Sequence, residues 1–245
     1  MFATLRKLGL LTAGAIALAI SGGSAGAASL TLGNSGWVAT WDSSLDDAIG
    51  SQVSLTVDGE TANSVTIEKF AVFADAVQPD GTIPPISISF QATRQNAAQF
   101  IVIADETVIN RTGSTWNGFR FTIQDGNTGT SQDVQFDVAQ SSGFSISPFT
   151  TRNYSQNNQI LTVDGGPGIP SAPPGVVGPN VWFPGVGAGA LVIRADPVQG
   201  TLRQFVLKEQ PLTVIPVPAA AWTGLSGLVG LALIGSAKKL RNLIG

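Results

Sequence analysis

The strongest constraint on the fold is a period of two. Ile86-Ser-Ile-Ser-Phe90, Phe119-Arg-Phe-Thr-Ile123 and Val134-Gln-Phe-Asp-Val138 alternate apolar and polar residues, and Phe144-Ser-Ile146 repeats the pattern in brief. Successive side chains of a strand point to opposite faces, so this alternation predicts strands with one buried face. More continuous runs at Val65–Phe73, Phe100–Ala104, Leu191–Ala195 and Leu202–Leu207 predict more fully covered strands. Trp37–Trp41, Val53–Val57 and Ile160–Val163 are further strand candidates. The separators carry turn chemistry: Asp58-Gly59, Pro79-Asp80-Gly81, Asn117-Gly118, Asp125-Gly126-Asn127 and Asp164-Gly165-Gly166. The only helical turn expected in this region is near Ser44–Ile49.

About eleven short strands with regular turns and no long amphipathic helix predict an all-β, antiparallel sandwich of jelly-roll type, with a closed barrel as the alternative. One stretch breaks the rhythm. Gly165–Gly189 holds six Pro and eight Gly, which predicts a long surface loop between two strands. Its functional reading is a ligand-covering or adhesive loop with Trp182 and Phe183 as anchors. Strand-like segments flank it on both sides, so residues 28–210 are read as one domain.

Composition limits the chemistry. The chain has no Cys and no His. That excludes disulfides, thiolate and imidazole metal sites, Cys nucleophiles and Ser-His-Asp catalysis. All sixteen acidic residues lie between Asp42 and Glu209, against eight basic ones there, so this body carries a net charge of −8. An acidic body lacks the clustered Lys and Arg that phosphate binding needs, so no nucleic-acid partner is expected. The other five basic residues lie at the two ends.

Both ends read as targeting segments. Arg6 and Lys7 precede an uncharged run, Leu8–Ile20, and then Ala25-Gly26-Ala27. Thirteen residues give roughly 20 Å of helix, short of the roughly 30 Å hydrocarbon core. A basic stretch, an apolar stretch and an A-x-A site in that order predict a signal peptide over 1–27, with Ala25 and Ala27 placed for signal peptidase and the cut after Ala27 or Ala28. An uncleaved N-terminal anchor is the alternative. At the other end, 219–237 is uncharged and long enough for a transmembrane helix, and Lys238, Lys239 and Arg241 follow directly as a basic stop.

The segment Val214-Ile-Pro216-Val217-Pro218-Ala219-Ala-Ala-Trp222, the Gly-rich apolar stretch and Lys-Lys-Leu-Arg241 together resemble the PEP-CTERM class of bacterial sorting signals, in its V-P-x-P-A variant. The resemblance covers about thirty residues, 211–245 at most, with Val217 where the name-giving members carry Glu. It implies that Pro216, Val217, Pro218 and Ala219 form the motif, and that Ala220 to Ala237 form the membrane helix. It implies an exosortase-like processing enzyme as a partner and delivery to the cell surface or extracellular matrix, often beside exopolysaccharide. Independently, Pro216 and Pro218 disfavour helix and keep the chain extended at the bilayer surface, where a protease needs it.

For the body, each candidate chemistry has a plainer alternative. Trp37, Trp41, Trp116 and Trp182 are candidates for stacking on sugar rings, Trp116 and Trp182 above all, although large aromatics are more often core. Trp116 opens the run Trp116-Asn-Gly-Phe-Arg-Phe121, where it is expected to pin the start of a strand. Asp125, Asn127 and Asp133 offer oxygen ligands for Ca²⁺, or simply form a polar hairpin turn. No cofactor and no other metal is expected. Glycoside hydrolysis needs two carboxylates facing each other across a cleft. The neighbouring pairs Asp105-Glu106 and Asp46-Asp47 are expected to be a solvated edge and a loop instead. The leading expectation is therefore an exported, non-catalytic bacterial surface or matrix protein. An exopolysaccharide-binding module is the second reading and a hydrolase the third.

Overall fold

A computed structural model of the chain describes residues 26–46, 50–125, 133–172, 181–182, 189–197 and 199–213. The signal segment with Ala25, the segment 126–132, the motif Pro216–Ala219, the apolar stretch 219–237 and Lys238, Lys239 and Arg241 lie outside the described residues. Among those described, no helix is long and apolar enough to cross a membrane.

The described body is all-β. In chain order the strands are β1 (Ala27–Thr31), β2 (Trp37–Asp42), β3 (Gln52–Glu60), β4 (Ser64–Phe73), β5 (Ile86–Ala92), β6 (Phe100–Asn110), β7 (Trp116–Asp125), β8 (Val134–Phe136), β9 (Thr151–Ser155), β10 (Ile160–Ile169), β11 (Val181–Trp182), β12 (Leu191–Ala195) and β13 (Gln204–Leu212). A 3₁₀ turn, Ser43–Asp46, falls where the helical turn is expected. One sheet has the order β1-β2-β5-β13-β7-β10-β9, the other β3-β4-β6-β12-β8, with β11 paired to β6. Buried residues from both sheets form one core cluster, the arrangement of a sandwich.

Alternation sets which side chains enter that core. On β5, Ile86, Ile88, Phe90 and Ala92 are buried while Ser87, Ser89 and Gln91 are not. Phe119, Phe121 and Ile123 are buried on β7. Aromatic rings join the sheets where Phe73 of β4 meets Trp116 of β7 edge-on at 5.4 Å, and within one sheet Phe90 of β5 stacks on its register partner Phe205 of β13 at 4.9 Å.

Five expectations are corrected. The sheets are not wholly antiparallel, because β4 and β6 pair in parallel. The chain leaves β4, crosses to the other sheet as β5 and returns, and two reversals restore the original direction. Three glycine-bearing segments expected as turns lie inside strands. Asp58-Gly59 sits at a register shift in β3, Asn117-Gly118 is in β7, and Asp164-Gly165-Gly166 opens a register shift in β10. A Cβ on Gly118 would stand 2.8 Å from the Val163 carbonyl oxygen, so glycine here marks close approach of two strands. Gly165–Gly189 is not one loop. Its first residues continue β10 to Ile169, and Val181–Trp182 pair with Ile109 and Val108.

Phe144–Ile146 is not a strand either. It lies in an irregular segment that drops Phe144, Ile146 and Phe149 into the core. Arg152 holds that segment by donating to the carbonyls of Ser141, Phe144 and Ser142. Finally, β13 runs to Leu212, two residues past the expected limit at 210, and Thr213 still donates to the Gly81 carbonyl.

Candidate functional site

Period two places a lysine inside the sandwich. Along β4, Val65, Ile67, Lys69, Ala71 and Phe73 share the buried face. The same rule on β13 turns Glu209 inward with Phe205 and Leu207. On β6 the phase changes. Ile67 pairs with Ile103, but Glu68 pairs with Asp105 and Lys69 with Glu106. The extra residue is a bulge, and a bulge re-aims the side chains beyond it. Ile101 and Ile103 face the core before it, and Glu106 and Val108 after it.

Three charged side chains therefore meet between the sheets. Lys69 Nζ donates to Glu209 Oε2 at 2.6 Å and contacts Glu106 Oε1 directly. No side chain of the three is more than 1% exposed. Glu209 Oε1 has no hydrogen-bond partner. Burial pushes the Lys69 amine down in spite of its attraction to Glu209, and pushes the Glu209 carboxyl up in spite of Lys69. Both shifts favour the neutral forms, because a low-dielectric interior penalises charge. One cation faces two carboxyls, so the fully ionised cluster would bury a net negative charge.

Glu106 is thus not part of a solvated edge. Sequence spacing also missed Lys69 and Glu209, although both stand on the apolar phase of alternating runs, which is the signal that reveals them. Glu106 had no such signal, since the bulge sets its direction. The two carboxyls lie in the interior, out of reach of a glycosidic bond.

The tryptophans are accounted for as follows. Trp116 is fully buried, which corrects its candidacy as a sugar platform. Its indole donates to Thr112 Oγ1 at 3.2 Å, at the strand start it was expected to pin. The turn before it is organised by buried Asn110, which donates to the carbonyls of Ser114 and Ile169 and accepts from Thr112. Trp37 is also fully buried, its indole on the Ala98 carbonyl. Trp41 is half-buried, shares the face of Trp37 and donates to Asp46 at 2.8 Å. The side chain of Trp182 lies outside the described residues. So does the 126–132 segment on which the Ca²⁺ candidates Asp125, Asn127 and Asp133 depend. Ala27 opens β1 opposite Asp42.

A second buried charge closes one end of the core. Arg203 is 2% exposed and donates to the carbonyls of Ala195 and Ala97. Its guanidinium lies over Trp37, 5.1 Å from the ring centre. Arg203→Met should lower stability by about 2–4 kcal/mol, because at least two buried carbonyls lose their donor. Arg203→Lys should recover only part, since one ammonium does not reproduce the planar fork. Guanidinium unfolding midpoints of the three proteins check this order.

The chain matches no known family model, no curated protein and no solved structure.

Proposed function

We propose that this chain is an exported bacterial surface or extracellular-matrix protein, non-catalytic, delivered by an N-terminal signal peptide and sorted through a PEP-CTERM-like tail. The observation that carries this reading is the placement of the two targeting segments around the body. Described strands begin at Ala27, beside the expected cut, and end at Leu212, just before the Pro216–Ala219 motif. The basic, apolar and Pro-bearing blocks fall outside that span in the order each kind of signal needs.

The strand order supports a jelly-roll reading of the body. From β5 onward, one sheet runs β5-β13-β7-β10 and the other β6-β12-β8. β5, β6, β7 and β8 alternate between the sheets, as in a jelly roll; β9 and β10 then share the first sheet, β11 and β12 the second, and β13 returns to the first. On this reading β1–β2 and β3–β4 are hairpins added to the outer side of each sheet.

The test follows both termini in cells of the producing bacterium. Mass spectrometry of the mature surface form should find a start at Ala28 or Ser29 and no Lys238–Gly245 fragment. Persistence of that fragment on the mature surface form would sink the processing step and leave a plain anchor. Recovery of the protein in the cytoplasm with residues 1–27 intact would overturn export.

A further inference from the structure

We propose that Lys69 and Glu106 are joined by an intramolecular isopeptide bond, formed autocatalytically with Glu209 as the proton relay. The proposal does not depend on where the chain is delivered. It rests on a juxtaposition that an ordinary ion pair does not explain. An amine and two carboxyls are sealed in an apolar interior with one carboxyl in excess, and Glu209 Oε1 is unpartnered. Lys69 and Glu106 are register partners on adjacent strands, and the β6 bulge is what brings Glu106 to the inner face. A structural lysine could lie on the outer face of β4, as Glu68 does.

The chemistry balances without any added reactant. Burial favours the free amine at Lys69 and the protonated acid at Glu209. A proton passes from Lys69 to Glu106, leaving –NH₂ beside –COOH. Nζ attacks Cδ of Glu106. Glu209 Oε2, 2.6 Å from Nζ, takes a proton from the nitrogen. Glu209 Oε1, which no other group engages, gives its proton to the departing hydroxyl. The new C–N bond forms, the Cδ–O bond breaks, one water leaves, and Glu209 ends protonated as it began. The fold supplies the large effective concentration that such a reaction needs. An interior without bulk water favours the amide over its hydrolysis. The product also removes the buried charge, because an amide and a neutral Glu209 replace one cation and two carboxyls.

The experiment is intact mass spectrometry of the purified full chain, referenced to its own mapped termini. The expected mass is one water below that of the sequence. Tryptic cleavage at Lys69 should be blocked, and the fragment 95–111, which carries Glu106, should stay joined to the one carrying Lys69. Glu209→Gln should fold and keep the full sequence mass, and Lys69→Met likewise. A wild-type chain of unaltered mass overturns the proposal, and that measurement needs no variant to fold. A cross-link to Glu209 overturns the assigned roles. A bond that forms undiminished in Glu209→Gln overturns the relay.

Discussion

Lys69→Met, which cannot form the Lys69–Glu106 bond, should itself be less stable at neutral pH than near pH 4 by about 3–5 kcal/mol. The substitution keeps the apolar stem and removes the only amine beside Glu106 and Glu209, and a buried charge left without its partner costs about that much. The pH dependence follows from the carboxyls. Burial already holds Glu209 above its ordinary range with Lys69 present, and removing the cation takes away what opposes that shift. A raised folded-state pKa means that the folded protein binds more protons than the unfolded chain. Stability is then full below the ordinary carboxylate range and falls as pH rises through the folded-state value. Adding Glu209→Leu to the variant should return part of the loss, because one buried carboxyl disappears. Urea unfolding of the variant at pH 4 and pH 8 checks both points, and equal stability of Lys69→Met at the two pH values would sink the argument.

Trp116→Ala should cost about 3–5 kcal/mol, the range for removing a large aromatic from a core. The indole is fully buried and contacts Phe73 at 5.4 Å and Phe119 at 5.9 Å. Its N–H also joins the Asn110–Thr112 turn, so the variant loosens the start of β7 as well as the interior. Trp116→Phe should keep more than half of the stability, since it fills most of the volume and gives up the hydrogen bond. Thermal unfolding orders the three proteins. Any polysaccharide binding by the chain should be unchanged per folded molecule, whereas a sugar platform at this position would lose affinity without losing stability.

Alternation made most strands legible. It named Ile86–Phe90, Phe119–Ile123 and Val134–Val138, and a continuous apolar run named Leu191–Ala195, where the strands are Ile86–Ala92, Trp116–Asp125, Val134–Phe136 and Leu191–Ala195. It failed where neighbours outvote local chemistry. Asn117-Gly118 reads as a turn alone, but β10 and β13 pair on either side of it and hold it extended. β1 and β9 are edge strands with exposed, weakly patterned residues, so little in their sequence marks them. The charged cluster was half legible. Lys69 and Glu209 stand on apolar phases that can be read along the chain, whereas the direction of Glu106 depends on one extra residue in a pairing that no single sequence displays.

The placement of β13 has a mechanical consequence. This strand lies in the interior of its sheet, with antiparallel register partners from Gln204–Glu209 on β5 and from Phe205–Leu212 on β7. The chain that follows Leu212 leads toward the C-terminal tail. A load applied from that side pulls along the strand axis, so the two ladders resist in shear and their bonds share the force together. A β-hairpin at a sheet edge would instead unzip one bond at a time. A body tethered through this strand would hold against drag longer than equilibrium stability alone suggests.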